Sequence, residues 1–223
     1  MLQKGVYKYN IYRTPNIGIF LKANDKLFLA PKGLTESKIS RLESFLGVKC
    51  ITTSIAYTRL LGPLVAMNSN AIILPRIIAE RELEELRETN LEIIVLDTPF
   101  TSLGNLIAIN DKGMIVSPEL SREVINELKD RLSIEVLTMN IASYHQVGSM
   151  IVCTNRGAAI HPKVSDEQLE MIMDVLKVYA EPSTVNGGVP FVSTGIVANS
   201  NSVVVGDLTT GPELVILARA FKI

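Results

Sequence analysis

The stretch LGNLIAINDKGMIVSP, residues 103–118, indicates the fold because it recurs in diverged form four more times. The other copies are IGIFLKANDKLFLAP from Ile17, LGPLVAMNSNAIILP from Leu61, VGSMIVCTNRGAAIHP from Val147 and VSTGIVANSNSVVVGD from Val192. One position of the repeat, here called the glycine mark, holds Gly18, Gly62, Gly104, Gly148 and Ser193, at intervals of 44, 42, 44 and 45 residues. A fixed period of this size is typical of one repeated supersecondary unit. The sequence therefore predicts five tandem units, beginning near residues 16, 60, 102, 146 and 191.

Each unit is expected to open with a β-hairpin. A polar residue lies six positions after every glycine mark and separates two apolar runs; these residues are Asn24, Asn68, Asn110, Thr154 and Asn199. Asn and its small polar neighbours tolerate the positive φ of a tight turn, and the flanking β-branched residues favour strands. The segment that starts at the glycine mark is therefore interpreted as two strands joined by a turn.

A helix and a third strand should follow the hairpin. Ser121 can cap one helix, Ser165 and Gln168 can form a capping box for another, and Pro212 suits the first turn of the last. Third strands are predicted at 49–55, 92–98, 134–141 and 178–180, but the fifth unit has no chain left for one.

The segment 6–12 is strand-like, precedes the first unit and can supply the missing strand. Pairing across the ends would leave no open sheet edge. The predicted fold is thus α/β, a closed β/α propeller of five quasi-equivalent units with pseudo-fivefold symmetry, in one domain spanning residues 1–223. The helices are expected outside and the hairpins around the axis.

The composition excludes several function classes. The 223 residues carry 22 Lys and Arg against 23 Asp and Glu, so the net charge of −1 does not suit a protein held to nucleic acid by its overall field. The N-terminal segment has no apolar signal-peptide core, and no run is long enough to span a membrane. With two cysteines in apolar settings, Cys50 and Cys153, a cytoplasmic location is expected and no disulfide framework.

The sequence contains no recognisable catalytic or metal-binding motif. The two histidines, His145 and His161, are not spaced with cysteines as metal ligands, and Gly104 and Gly187-Gly188 lack the surroundings of a phosphate-binding loop. These glycines are interpreted as turn formers. No cofactor and no metal ion are expected.

Four longer motifs resemble one family in the same order along the chain: LGNLIAIND at 103–111, VGSMIVCTNRGAAIHPKVS at 147–165, STVNGG at 183–188 and DLTTGPELVILARAFKI at 207–223. They are similar to archaeal translation initiation factor 6. The resemblance implies a pentein-type ring that binds the large ribosomal subunit beside the sarcin-ricin loop and sterically keeps the small subunit from joining. A role in large-subunit biogenesis also fits this family.

The alternative is an enzyme, because pentein-type rings also serve enzymes that modify guanidino groups. Those enzymes resemble one another in a nucleophilic Cys near the chain end, a His base and acidic residues around the substrate. The last unit here, from residue 191, contains neither Cys nor His. A non-catalytic binding protein is therefore preferred.

Six polar residues are the candidate ribosome-binding residues: Arg59, Asn68, Asn105, Asn110, Asp111 and Asn155. Arg59, Asn105 and Asp111 lie in the elements that match the family best. The asparagines at the hairpins could equally serve turn geometry alone. The near-neutral charge favours docking on a ribosomal protein, with at most local contact to rRNA. The protein is expected to be a monomer.

Overall fold

The computed structural model describes residues 4–223, so the first three residues of the predicted domain lie outside the described residues. It contains five three-stranded sheets, one for each predicted unit. The inner strands are Lys22–Ala23, Ala66–Met67, Ile107–Ile109, Ile151–Cys153 and Ile196–Ala198. The middle strands are Leu27–Pro31, Ala71–Pro75, Gly113–Val116, Gly157–Ile160 and Val203–Gly206. The outer strands are Lys49–Thr53, Glu92–Leu96, Glu135–Thr138, Tyr179–Pro182 and, from the N-terminus, Val6–Tyr9.

Within each sheet the middle strand is antiparallel to the inner strand and parallel to the outer strand. The fifth unit obtains its outer strand from the other end of the chain, with Val6 opposite Val203 and Tyr9 opposite Gly206. The prediction that the segment 6–12 completes the last unit is confirmed, although the strand itself ends at Tyr9. Both ends of the chain are therefore joined in one sheet.

The five units form a closed ring. Each inner strand contacts the inner strand of the next unit, and Ile196–Ala198 of the fifth unit contacts Lys22–Ala23 of the first. The predicted ring of five quasi-equivalent α/β units is thus confirmed.

The prediction that each unit begins directly with a strand is wrong. The glycine marks lie in one-turn helices that precede the inner strands and are here called axial turns: Ile17–Ile19, Leu61–Leu64, Leu103–Leu106, Val147–Met150 and Val192–Thr194. Neighbouring axial turns also contact one another around the ring.

Close backbone approach explains the glycine marks. A Cβ on Gly62 would lie 1.8 Å from the carbonyl oxygen of Gly18, and one on Gly104 would lie 2.0 Å from that of Gly62. In the same way, a Cβ on Gly148 would lie 2.3 Å from the Gly104 carbonyl oxygen, and one on Gly18 would lie 1.9 Å from the Ser193 carbonyl oxygen. Because real Cβ atoms cannot approach an oxygen so closely, the marks allow the axial turns to pack. Gly104 is therefore not the turn former that was expected, whereas Gly187 and Gly188 do have positive φ in a turn.

Outer helices cover the sheets at Glu36–Leu46, Glu80–Arg87, Arg122–Leu132, Asp166–Leu176 and Gly211–Phe221. The predicted caps are present: Ser121 accepts a hydrogen bond from the Val124 amide, and Ser165 and Gln168 form a capping box. Each helix packs between two sheets. The last one, for example, contacts the sheets of both the fourth and the fifth unit.

The core consists of five apolar clusters, each between two consecutive units. Alternate residues of a middle strand enter different clusters. Phe28 packs in the cluster between units five and one, whereas Leu27 and Leu29 pack in the cluster between units one and two. Since side chains alternate across a strand, this arrangement buries both faces of the sheet. One unit alone could not do so, and the units therefore stabilise one another.

The ring has two distinct rims, because each inner strand runs from an axial turn at one end to a hairpin turn at the other. The hairpin rim comprises the hairpin turns, residues 24–26, 68–70, 110–112, 154–156 and 199–202. The loop rim comprises the connections between outer strands and axial turns, residues 10–16, 54–60, 97–102, 139–146 and 183–191. Within residues 4–223, none of the helices has the length and apolar character needed to span a membrane.

Candidate functional site

The six predicted ribosome-binding residues are divided between the two rims. Arg59 lies on the loop rim, and Asn105 lies beside it in an axial turn. The other four, Asn68, Asn110, Asp111 and Asn155, lie on the hairpin rim. A single flat partner surface cannot contact both sets, so the geometry of each rim matters.

Asn68 and Asn110 are buried and engaged within the ring. The Asn68 side-chain oxygen accepts from the amides of Asn70 and Ala71, both at 2.9 Å, and its Nδ2 donates to the Asn110 carbonyl oxygen at 3.1 Å. Asn110 repeats the pattern and donates to the carbonyl oxygens of Thr154, at 3.1 Å, and Leu176, at 2.9 Å. These side chains fix each turn and tie it to the next unit; a ribosome contact by them stays a prediction.

Asp111 and Asn155 belong to a second polar network that crosses the hairpin rim. The Asp111 carboxylate accepts from the Ser69 amide at 2.7 Å and from Asn155 Nδ2 at 2.6 Å. Asn155 Nδ2 also lies 2.8 Å from the Asp25 carboxylate, which accepts from the Ser200 amide at 2.6 Å. One residue from each of the five units thus takes part. The polar groups of this rim largely satisfy one another.

The loop rim is built differently, because buried carboxylates hold two of its tight turns. Ala56 and Tyr57 both have positive φ, and their amides donate to Glu82 at 2.8 and 2.9 Å. Ser54 donates its hydroxyl to the same carboxylate. Burial would by itself raise the pKa of Glu82, but these donors hold it below its usual value. Glu82 therefore acts as a fixed anion that clamps the turn.

Glu213 clamps the corresponding turn between the fourth and fifth units. Its carboxylate accepts from the amides of Gly187, Gly188 and Thr210 at 3.0, 2.9 and 2.7 Å, and from the hydroxyls of Thr184 and Thr210. Burial opposes ionisation, yet the five donors lower the pKa of Glu213 to about 2. The loop rim is therefore rigid at these positions.

Large side chains project from the loop rim. The exposed fractions are 83% for Tyr57, 45% for Leu60, 45% for Tyr144 and 37% for Tyr12. The Arg59 guanidinium lies over the Tyr12 ring, 5.5 Å from its centre, so residues of two units meet there. Tyrosine and arginine are the residue types enriched at interface hot spots. Sequence reasoning identified Arg59 but missed the tyrosines, whose only signal was their position in the connections between units.

Asn105 lines a groove of about 430 Å³ next to the loop rim. Phe100, Glu119 and Gln146 form part of its wall, and Glu119 pairs with His145. Among the described residues, the Asn105 side chain has no hydrogen-bond partner. The groove therefore combines an apolar ring with a free amide, a combination suited to docking.

The family model and the curated relatives agree on one family. The model of the eIF-6 family matches residues 6–220. Among curated proteins, translation initiation factor 6 of Cenarchaeum symbiosum is 48% identical over 217 residues, covering 97% of this chain and 98% of that protein. Translation initiation factor 6 of Nitrosopumilus maritimus is 44% identical, with 97% and 98% covered, and that of Pyrococcus horikoshii is 40% identical, with 96% and 97% covered.

A solved structure with a similar chain path is the N-terminal domain of ArgZ, a cyanobacterial arginine dihydrolase. It is 10% identical in sequence, with a TM-score of 0.48, and the match covers 73% of this chain and 66% of that chain.

Proposed function

The chain belongs to the eIF-6 family and is a translation initiation factor, and we propose that it binds the large ribosomal subunit through its loop rim and thereby prevents the small subunit from joining. The observation that carries this proposal is the contrast between the two rims. Tyr57, Leu60 and Tyr144 are exposed on the loop rim, and Tyr57 lies in the turn that Glu82 clamps, whereas the hairpin rim uses its polar groups internally. Rigid exposed aromatic residues lose little entropy on binding.

The proposed partner surface is a ribosomal protein beside the sarcin-ricin loop, with local rRNA contact. A net charge of −1 suits a protein partner better than a phosphate backbone. An interface of roughly 800 Å² per partner would suffice, because steric blocking requires occupancy and no chemistry. In this proposal the protein acts in the cytoplasm as a monomeric single domain and also serves in large-subunit biogenesis.

No catalytic step is part of the proposal. Burial raises the pKa of both thiols, Cys50 and Cys153, to about 12, so both stay protonated at neutral pH and are poor nucleophiles. A nucleophilic Cys with a His base is also absent from the last unit, where the guanidino-modifying enzymes carry their Cys. The family and this chemistry both favour a binding factor over an enzyme.

Sedimentation with purified large subunits tests the proposal. The wild-type protein should co-migrate with large subunits and should lower the yield of joined ribosomes when small subunits are added. Tyr57→Ala, Arg59→Ala and Asn105→Ala should each weaken binding by about tenfold. Their melting temperatures should change little, because these side chains are not part of the core.

Matched controls lie on the opposite rim. Lys112 and Asn70 are exposed on the hairpin rim, so Lys112→Ala and Asn70→Ala should bind normally. Asp111→Asn should lower the melting temperature and leave binding intact, because the Asp111 carboxylate joins neighbouring units. If the hairpin-rim variants lose binding and the loop-rim variants keep it, the docking face is the hairpin rim and the proposal is wrong.

A further inference from the structure

A cavity of about 70 Å³ lies on the axis of the ring. The axial turns and inner strands of the five units form its wall. A buried water needs roughly 10–15 Å³ of such volume, so the cavity has room for several waters or for one small polar molecule. Nothing in the proposed docking role uses this space.

The cavity breaks the symmetry of the repeat at one position. Four residues after the glycine mark, the inner strands of units two to five carry the small apolar residues Ala66, Ala108, Val152 and Val197. The first unit carries Lys22 at this position, and Lys22 lines the cavity. The first unit thus has an ammonium group at a position where the other four units have a small apolar side chain.

Lys22 has no protein counter-charge. Among residues 4–223, no hydrogen-bond acceptor and no carboxylate pairs with its Nζ. Burial lowers the pKa of Lys22, which reflects the cost of keeping this ammonium away from bulk water. An unpaired buried cation is unfavourable unless another group compensates it.

A further polar side chain in the same wall lacks a partner. Ser193 of the fifth unit lines the cavity, and its hydroxyl makes no hydrogen bond within the described part of the chain. Two acidic residues of the hairpin rim, Asp25 and Asp111, are already engaged by backbone amides and Asn155. The cavity therefore has one cation and one hydroxyl from two units, both unused.

We propose that the axial cavity is a binding site for a small tetrahedral oxyanion such as inorganic phosphate, held by Lys22 with Ser193. The cavity has room for such an ion, which would supply the missing negative charge. Its oxygens would accept from the ammonium and the hydroxyl at the same time. The bound ion would join units one and five and would stabilise the closed ring.

Calorimetric titration of inorganic phosphate into the full-length protein, at constant ionic strength set with chloride, tests the proposal. The wild type should bind one phosphate saturably, and Lys22→Met should bind at least about tenfold more weakly, since a charge-assisted hydrogen bond is lost. Met is only one heavy atom shorter than Lys and fits the apolar surroundings, so the fold should be retained. Ser193→Ala provides a second, milder variant and should weaken binding less.

The Lys22 side-chain resonance gives an independent measurement. In protein with ¹³C-labelled lysine, the Cε signal of Lys22 is the one that is absent from Lys22→Met. This signal should shift when phosphate is added, and the apparent pKa of the Lys22 ammonium should rise. Two results would overturn the proposal: no saturable binding by the wild type, or equal binding by wild type and Lys22→Met, which would assign the ion to surface cations. Large-subunit binding is measured separately, so failure of this site would leave the docking proposal untouched.

Discussion

Replacing Glu213 by Gln tests whether the loop rim is held by a buried anion. The Glu213 carboxylate accepts five hydrogen bonds, and its pKa is about 2 against an ordinary value of 4.5. At 1.36 kcal/mol for each pKa unit, this difference corresponds to about 3 kcal/mol of folding stability at about pH 7. Gln is nearly isosteric, but its amide nitrogen would face N–H and O–H donors. The variant should therefore lose roughly this amount.

The sign of the pH dependence follows from the lowered pKa. A carboxyl group whose pKa is depressed in the folded state stabilises the protein above its unfolded pKa, and this contribution is lost as the pH falls towards the folded value. The difference between wild type and Glu213→Gln should therefore shrink between pH 4.5 and about 2. It should be under about 1 kcal/mol at about pH 2.5.

Urea unfolding curves at several pH values measure this difference directly. Glu170, exposed on the outer helix Asp166–Leu176, provides a matched control, and Glu170→Gln should change the free energy of unfolding by less than about 0.5 kcal/mol. A Glu213→Gln protein as stable as the wild type at neutral pH would refute the reasoning. So would a loss of stability that is the same at about pH 2.5, because it could not arise from the ionised carboxylate.

Two further predictions concern closure of the ring. Gly62→Ala places a Cβ 1.8 Å from the Gly18 carbonyl oxygen and should lower the free energy of unfolding, measured with urea, by about 3 kcal/mol or more. In the control, Gly211→Ala, no atom lies within 4 Å of the new Cβ, so the free energy of unfolding should hardly change. Equal effects of the two substitutions would exclude tight axial packing. Deleting residues 1–9 removes the strand Val6–Tyr9 and exposes the edge of Val203–Gly206, so one cooperative transition should shift to lower temperature in calorimetry; an unchanged melting temperature would contradict closure by the N-terminal strand.

Much of the site could not be predicted from the sequence. The motifs identified Arg59 and Asn105, which the structure brings near the same rim, but they also selected Asp111 and Asn155 on the opposite one. A motif reports which residues occur in a segment and does not report which end of a strand faces a partner. Glu82 and Glu213 were missed because the turns that they clamp lie 25 or more residues away along the chain.

The sequence by itself determined the five units, their hairpins, the caps at Ser121 and Ser165, and the closure by the N-terminal strand, because these depend on local periodicity and on a fixed repeat length. Only the tertiary structure decided why four of the five glycine marks are glycine and where Lys22 lies. The need for glycine at position 62 arises because the carbonyl oxygen of Gly18, 44 residues earlier in the neighbouring unit, lies where a Cβ would be. The position of Lys22 depends on five inner strands meeting around one axis, which turns a single Lys in one repeat into an unpaired charge inside a cavity.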